Sequence, residues 1–352
     1  MAGSIIEIEK DKKYKLSYMY KGNRHYRTVE CKTKDSNILL ANFVMEIKNG
    51  NKEIKDIYFV EFSQLYLDNY AKPTLANKTV WEYKKYLNKR ICPYFEKYLL
   101  KNIETLDVQN FINLLGKELS RESVKRYKSL LSGIFDKAIL WGFLKANPCK
   151  LTILPKCKAS TGTKSKSLDL DTAKKILELL DNVDKKHKLI MNIILRCGLR
   201  RSEVLGLKYK DIDFVNNILT VNQVIEYIPH QPLGLKPPKT ERGHRKIHIS
   251  TELSAMILDY RTKEPDDDLI FNWYNPDALY KWFKRFLNTN KLQDIRLHDL
   301  RHTYANIMIN DAKISIASLS ELLGHSRTST TQNIYIHSIN AEQDAAAIFF
   351  DK

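Results

Sequence analysis

The sequence predicts a multidomain, mainly α-helical chain. A small N-terminal β-sheet plus helix module is expected over 1–55, a helical domain over 56–155, a basic linker over 156–166, and a mixed α+β domain over 167–352. Three observations carry this reading. Tyrosine alternates with other residues through Tyr14-Lys15-Leu16-Ser17-Tyr18-Met19-Tyr20, as in a strand with one buried face. Long runs between 57 and 142 carry helical spacing, bounded by capping residues. Beyond the linker, helical runs alternate with segments rich in Ile and Val. A chain of 352 residues also exceeds one ordinary core and suits two or three domains.

At the N-terminus, Lys21-Gly22-Asn23-Arg24 reads as a turn and His25 to Cys31 as a returning strand. A helix is expected over 33–48, with Ile38, Phe43 and Ile47 on one face and Asn49-Gly50-Asn51 as its stop. Four helices are then expected, over 57–70, 78–98, 107–119 and 120–142. Thr105-Leu106-Asp107 and Leu119-Ser120-Arg121-Glu122 supply the chemistry for two of their N-caps. Lys84, Lys85, Lys89 and Arg90 crowd one helix, and Lys125, Arg126 and Lys128 another. One lysine-rich face is usually just solvated. Two in one small domain of a basic chain point to a side that meets nucleic acid. Asn147-Pro148 closes this domain. The stretch from Pro155 to Lys166, with Gly162 and many Ser, Thr and Lys residues, is a linker able to lie along phosphates.

In the last part Leu168-Asp169-Leu170-Asp171 opens a helix, 187–196 forms another, and 200–207 follows Gly198. Asp213 to Tyr227 is strand-like and pairs with Arg245-Lys246-Ile247-His248-Ile249. Pro237, Pro238 and Gly243 lie in the loop between them.

The net charge of +17 gives a field suited to nucleic acid or an anionic membrane surface. Apolar residues at 43% supply true cores, which excludes a basic disordered tail. No run approaches the ~20 apolar residues of a membrane span, and Met1-Ala2-Gly3-Ser4-Ile5 lacks the layout of a signal peptide. The cysteines at 31, 92, 149, 157 and 197 are odd in number and form no Cys-x-x-Cys pair. That argues against a disulfide framework or zinc knuckle and for a reducing, cytoplasmic setting.

Four stretches concentrate chemistry. Cys197-Gly198-Leu199-Arg200-Arg201-Ser202-Glu203 puts Arg200 and Glu203 on one helical face, with Arg201 as rival to Arg200. Pro238-Lys239-Thr240 places a loop lysine before a strand, with Lys236 and Lys246 as rivals. His298-Asp299-Leu300-Arg301 sets a histidine and an arginine three apart. Leu323-Gly324-His325 is followed by Tyr335-Ile336-His337. Guanidinium forks neutralise phosphate oxygens and a tyrosine hydroxyl attacks, so such a set breaks a phosphodiester without metal. Singly, each has a duller reading: a surface Arg–Glu pair worth under ~1 kcal/mol, a solvated lysine, a histidine that happens to lie near an arginine, a structural tyrosine. The His-Asp dipeptide of metal phosphohydrolases is a further rival, but the additional His and Asp ligands it needs are not at set spacings here.

In this order the motifs resemble the tyrosine recombinase family, the integrases of temperate phages and conjugative transposons. The likeness is strong over 165–340 and weaker toward the N-terminus. It implies an arm-type DNA-binding module at 1–55, a core-binding domain at 56–155 and a catalytic domain with a C-terminal tail at 167–352. A sheet-and-helix adaptor is the alternative for the first. The resemblance implies that Tyr335 attacks the scissile phosphate to form a 3′-phosphotyrosyl bond and that Lys239 protonates the leaving 5′-oxygen. Arg200, Arg301 and His325 would hold the phosphate oxygens, with Glu203 orienting Arg200. His298 would accept the tyrosine proton or position the phosphate. No cofactor or metal is implied. The implied partners are double-stranded DNA at core and arm sites, three further copies in a tetramer, and an excisionase or DNA-bending protein. A type IB-like topoisomerase and a non-catalytic DNA-binding regulator are the other functions open to this sequence.

Overall fold

Tyr14, Leu16 and Tyr18 alternate because they line the buried side of a three-stranded antiparallel sheet. Its strands are β1 (Ser4–Glu9), β2 (Lys13–Tyr20) and β3 (Asn23–Glu30). The computed structural model describes residues 3–10, 12–20, 22–30, single positions between 36 and 47, and 56–158, 167–261 and 268–324. β2 and β3 match the expected hairpin. β1 was not foreseen, because Ser4-Ile5-Ile6-Glu7-Ile8-Glu9 leaves Ile6 and Ile8 over half exposed and gives a weak two-sided signal. Of the helix expected over 33–48, the described positions are helical, and Phe43 closes the small core with Leu16 and Tyr18. The chain divides into two compact units, Met1–Thr161 and Gly162–Lys352.

The first unit continues with four helices. α1 (Phe59–Tyr66) and α2 (Asn77–Tyr86) each run into a single π-helical turn, Leu67–Ala71 and Leu87–Ile91, and then a short α-helical end. Prolines explain both turns. Pro73 and Pro93 have no N–H and push on the carbonyl four residues back. The residue before each proline, Lys72 or Cys92, donates instead to a carbonyl five back, Leu67 or Leu87. Pro93 also ends the second helical run at Tyr94, short of the expected 98. α3 (Thr105–Glu118) starts from Glu104, whose backbone N–H is held by Asp107, so the cap lies one residue before the expected Thr105. α4 (Arg121–Leu140) is capped by Ser120 as expected. Phe59, Phe62, Phe95, Phe111 and Phe135 are fully buried among these helices, each contributing roughly 1.5–3 kcal/mol through burial.

The end of this bundle is fastened by Asn147. Its amide donates to the Ser132 carbonyl, the Ser132 hydroxyl and Asp136, and its oxygen accepts the Cys149 N–H. Further on, Gln109 brackets the backbone of Ile153, and the Lys158 N–H bonds to the Gly116 carbonyl. Residues 156–158, expected to open the linker, therefore lie bonded along α3. The rest of the linker is outside the described residues.

In the second unit, α5 (Leu170–Leu179) begins at an Asp169 cap and α6 (Lys185–Cys197) at an Asp184 cap. α6 is buried nearly all round through Leu189–Leu195, as befits a helix enclosed by α5, α7 (Arg201–Leu205), α8 (Thr251–Tyr260) and α10 (Leu297–Asn310). The segment 213–227 is not one strand. Asp213 accepts the N–H groups of Val215 and Asn216, and Asn217 takes a positive φ, which separates β4 (Ile212–Asp213) from β5 (Ile218–Val221); β6 (Val224–Glu226) follows after Asn222 and Gln223. The expected pairing with 245–249 holds: β5 lies antiparallel to β8 (Arg245–His248), Val221 opposite Arg245. β7 (Gly234–Lys236) pairs with β6. α9 (Pro276–Thr289) and α11 (Ile316–Leu323) complete the unit.

Asn147→Ala strips four hydrogen bonds from a buried turn and leaves the Cys149 N–H without its acceptor. We expect a loss of about 1–3 kcal/mol in the first unit, read as a lower urea midpoint. An unchanged midpoint would show that this fastening carries no stability.

Candidate active site

Arg200, Glu203, Arg301 and one residue that the sequence reading passed over, Arg245, form a single buried ion cluster. Helix α6 ends at Gly198, whose φ of +63° turns the chain toward the cluster. A Cβ there would lie 2.3 Å from the ring of Tyr304, so only glycine fits this approach. Arg200 then caps α7. Its N–H donates to Glu203 Oε2 at 2.8 Å and its Nη1 to Oε1 at 2.6 Å. Glu203 is 1% exposed, whereas the Arg200 side chain keeps 36% of its surface. Arg201, the rival, donates to the Pro276 carbonyl near Asp277, and desolvation lowers its pKa.

Arg245 points inward from β8 on the same face as Ile247. It gives Nη2 to Glu203 Oε2 at 2.8 Å, Nη1 to Oε1 at 3.3 Å and to the Gly243 carbonyl at 3.2 Å, and Nε to the Leu322 carbonyl at 2.7 Å. Arg301, on α10, is 2% exposed. It donates to the Gly198 carbonyl at 2.7 Å and to the Leu323 carbonyl at 2.5 Å, with Glu203 Oε2 at 3.7 Å. Burial alone would raise the Glu203 pKa. The hydrogen bonds and charge of Arg245, with Arg200 and Arg301 behind, overcome it and hold the carboxyl at about 2. Three guanidiniums against one carboxylate leave the cluster positive, which is a site for an anion.

His298 sits beside this cluster at the start of α10, its ring in edge contact with that of His302 at 4.7 Å. The residue keeps an open face to solvent. Loss of hydration on its packed side, then the charges of His302, Arg301 and Arg200, pull its pKa down to about 4. Beneath it Asp299, 1% exposed, caps the helix by accepting from the Arg296 N–H and guanidinium.

Lys239 is exposed in the loop between β7 and β8 and has no hydrogen bond or ion pair among the described residues. Its rivals are differently placed. Lys236 is paired with Glu226 at 2.8 Å, and Lys246 lies on β8 opposite Thr220. Gly243 braces the loop: its N–H bonds to the Thr240 carbonyl, and a Cβ there would meet Pro238 at 2.5 Å. His325, Tyr335 and the tail lie outside the described residues. The signal for Arg245 was in the sequence all the same, as an arginine in phase with Ile247 and Ile249 on the inward face of a strand.

In the first unit, β2 and β3 set Lys13, Lys15, Met19, Arg24, Tyr26 and Thr28 on the face opposite Tyr14 and Leu16, with the Lys15 ammonium 4.6 Å from the Tyr26 ring centre. On the basic helices Arg90 pairs with Glu118, Lys125 with Glu122, and Lys128 donates to the Thr152 carbonyl. Among the described residues, no group of three or more His, Cys, Asp or Glu side chains could hold a metal, and no helix is long and apolar enough to cross a membrane.

Residues 166–342 match the model of the phage integrase family, and 58–116 match that of the phage integrase N-terminal SAM-like domain. A tyrosine recombinase XerC-like protein of Caldanaerobacter subterraneus subsp. tengcongensis is 26% identical, over 94% of this chain and 97% of its own. The fold is that of the Tn1549 transposon integrase solved with a circular intermediate DNA (TM-score 0.68, 19% identity, 82% of this chain and 98% of that one). It is also that of the lambda integrase solved as a tetramer on a Holliday junction (TM-score 0.59, 18% identity, 89% and 94%). The chain therefore belongs to the phage integrase family of tyrosine recombinases, enzymes that cleave and rejoin DNA at specific sites.

Proposed function

We propose that the positive cluster around Glu203 is the seat of the scissile phosphate in an integrase that moves a mobile element into and out of a chromosome through a 3′-phosphotyrosyl intermediate. The supporting observation is the excess of guanidinium over carboxylate at a place where Arg200 still faces solvent. Arg200 takes the phosphate oxygens, and Glu203 holds it in place from behind. Arg301, held behind it by the Gly198 and Leu323 carbonyls, adds its charge. Such preset charge acts where negative charge grows in the transition state.

The Tyr335 oxygen bonds to phosphorus and its proton passes to the neutral ring of His298. The bond from phosphorus to the 5′-oxygen breaks, and that oxygen takes a proton from Lys239. His325 donates to a non-bridging oxygen. A 5′-hydroxyl from a partner duplex reverses the step and exchanges the strands. The bond energy is kept in the phosphotyrosine, so no nucleotide is consumed.

The helical part of the first unit is the core-binding domain. The outward face of the N-terminal sheet, with Lys15, Arg24 and Tyr26, reads arm-type sites. Four copies assemble around two duplexes in the bacterial cytoplasm, and an excisionase or DNA-bending protein sets the direction.

Tyr335→Phe keeps DNA binding and forms no covalent adduct with a nicked suicide duplex on a denaturing gel. A persisting adduct would make another tyrosine the nucleophile.

Lys239→Ala slows cleavage by about 10²–10⁴-fold, the usual worth of a positioned general acid. A 5′-bridging phosphorothiolate restores most of the rate, because sulfur leaves without a proton. Rescue of Lys236→Ala or Lys246→Ala instead would move the role to that lysine.

His298 should titrate near 4 in the DNA-free protein, observed by NMR of the ring. Its folded pKa lies below the unfolded value, so the unfolded chain binds the proton first. This group therefore favours unfolding as pH falls from about 6.5 to about 4 and has no such effect above that window. A midpoint above neutral pH would remove the case for a neutral His298 facing the nucleophile.

A further inference from the structure

Arg245 lies outside the set of groups that meet the phosphate, the leaving oxygen or the nucleophile. Its own side chain is 6% exposed, so it is not a surface cation waiting for DNA. Its hydrogen bonds run to three separate parts of the site. Two go to Glu203, the residue that holds Arg200. One goes to the carbonyl of Gly243, in the loop that carries Lys239. One goes to the carbonyl of Leu322, in the last turn of α11, just before the chain leaves toward His325 and Tyr335.

The mechanical line from Arg245 to Lys239 is short. The Gly243 carbonyl rests on Arg245 Nη1, the Gly243 N–H is bonded to the Thr240 carbonyl, and the Gly243 Cα packs so closely on Pro238 that a Cβ would sit 2.5 Å from it. Pro238 and Thr240 flank Lys239. On the other side, Gly324 approaches the same guanidinium: a Cβ there would be 3.0 Å from Arg245 Nη1 and 2.7 Å from the Arg242 carbonyl. The loop and the end of α11 are thus packed against each other with Arg245 between them.

We propose that Arg245 is a positioning residue that sets the leaving-group lysine against the phosphate fork, acting through Gly243 and Glu203. This rests on the reading of Lys239 as the general acid. Only a rigid planar fork reaches all these acceptors at once. A lysine in its place keeps the charge beside Glu203 but loses the simultaneous contacts to Gly243 and Leu322. Without them the loop relaxes, and Lys239 no longer meets the 5′-oxygen at the moment the bond breaks.

The test uses the full-length protein and a nicked duplex carrying its own core site, defined by footprinting, with either a normal phosphate or a 5′-bridging phosphorothiolate. Single-turnover cleavage is measured for Arg245→Lys, Gly243→Ala, Lys239→Ala and Arg200→Lys. Misplacement by about 1 Å costs on the order of 10²-fold, so Arg245→Lys and Gly243→Ala should lose about that much on the phosphate. Both should recover most of it on the thiolate, as Lys239→Ala does. Arg200→Lys, which lacks the fork itself, should be equally slow on both. Gly243→Ala leaves the charge of the cluster untouched and so separates positioning from electrostatics.

Equal losses on the two substrates for Arg245→Lys, with Lys239→Ala still rescued, would overturn the proposal. So would failure of both Arg245→Lys and Arg245→Gln to yield folded protein, which would make Arg245 a residue of the fold alone. Absence of rescue for Lys239→Ala would instead overturn the underlying assignment of the general acid.

Discussion

One buried carboxylate organises the catalytic unit. Glu203 is taken out of water at the start of a helix, where an unpaired charge would cost several kcal/mol. It is tolerated because two guanidiniums lie against it, Arg200 and Arg245, with a third, Arg301, just beyond bonding distance. The arrangement is asymmetric. One negative charge suffices to hold the arginines in a packed interior, but it does not neutralise them. A carboxylate for every guanidinium would give a stable and inert network. With fewer, the residual charge is stored in position before any DNA arrives. The folded pKa of about 2 gives the linkage its sign: the stabilisation from ionised Glu203 is complete above the ordinary carboxylate value of 4.5 and is lost as pH falls from there toward 2.

Two helix ends take up further N–H groups of Arg245 and Arg301. The carbonyls of Gly198 after α6, and of Leu322 and Leu323 at the end of α11, lie where a helix leaves its acceptors unmatched and its dipole is negative. Cations belong there on both counts. Gly198 and Gly324 take left-handed conformations that end their helices and let other atoms come close, Tyr304 to the first and Arg245 to the second. An added methyl group at either position meets atoms at 2.7 Å or less. The glycines in Cys197-Gly198-Leu199 and Leu323-Gly324-His325 are therefore as much a part of the charged site as the ionic residues that follow them.

These features were unequally legible in the sequence. Arg200, Glu203, His298 and Arg301 could be picked out because their short motifs follow one another in an order that resembles the family, and the structure brings all four together. The long helices and the β5–β8 pairing were legible because their periodicity is local. The π-helical turns were not, although a proline follows each by a fixed interval. They depend on how the helix relaxes around a missing N–H rather than on which face is apolar. The break between β4 and β5 turns on Asn217 adopting a positive φ, which asparagine permits without requiring. Arg245 was hidden by its chemistry: an arginine beside a lysine at the start of a strand reads as solvated despite its inward phase, and only the partners brought from α7 and α11 make it an interior residue.

The same geometry bears on how binding and chemistry are coupled. Leu323 is the last residue of α11, and the nucleophile proposed here stands twelve residues further along the chain. The described link between that segment and the cationic cluster is the pair of carbonyls at 322 and 323, one on Arg245 and one on Arg301. The end of α11 and the arginines that Glu203 gathers are thereby one packed unit, so a change at either is felt at the other.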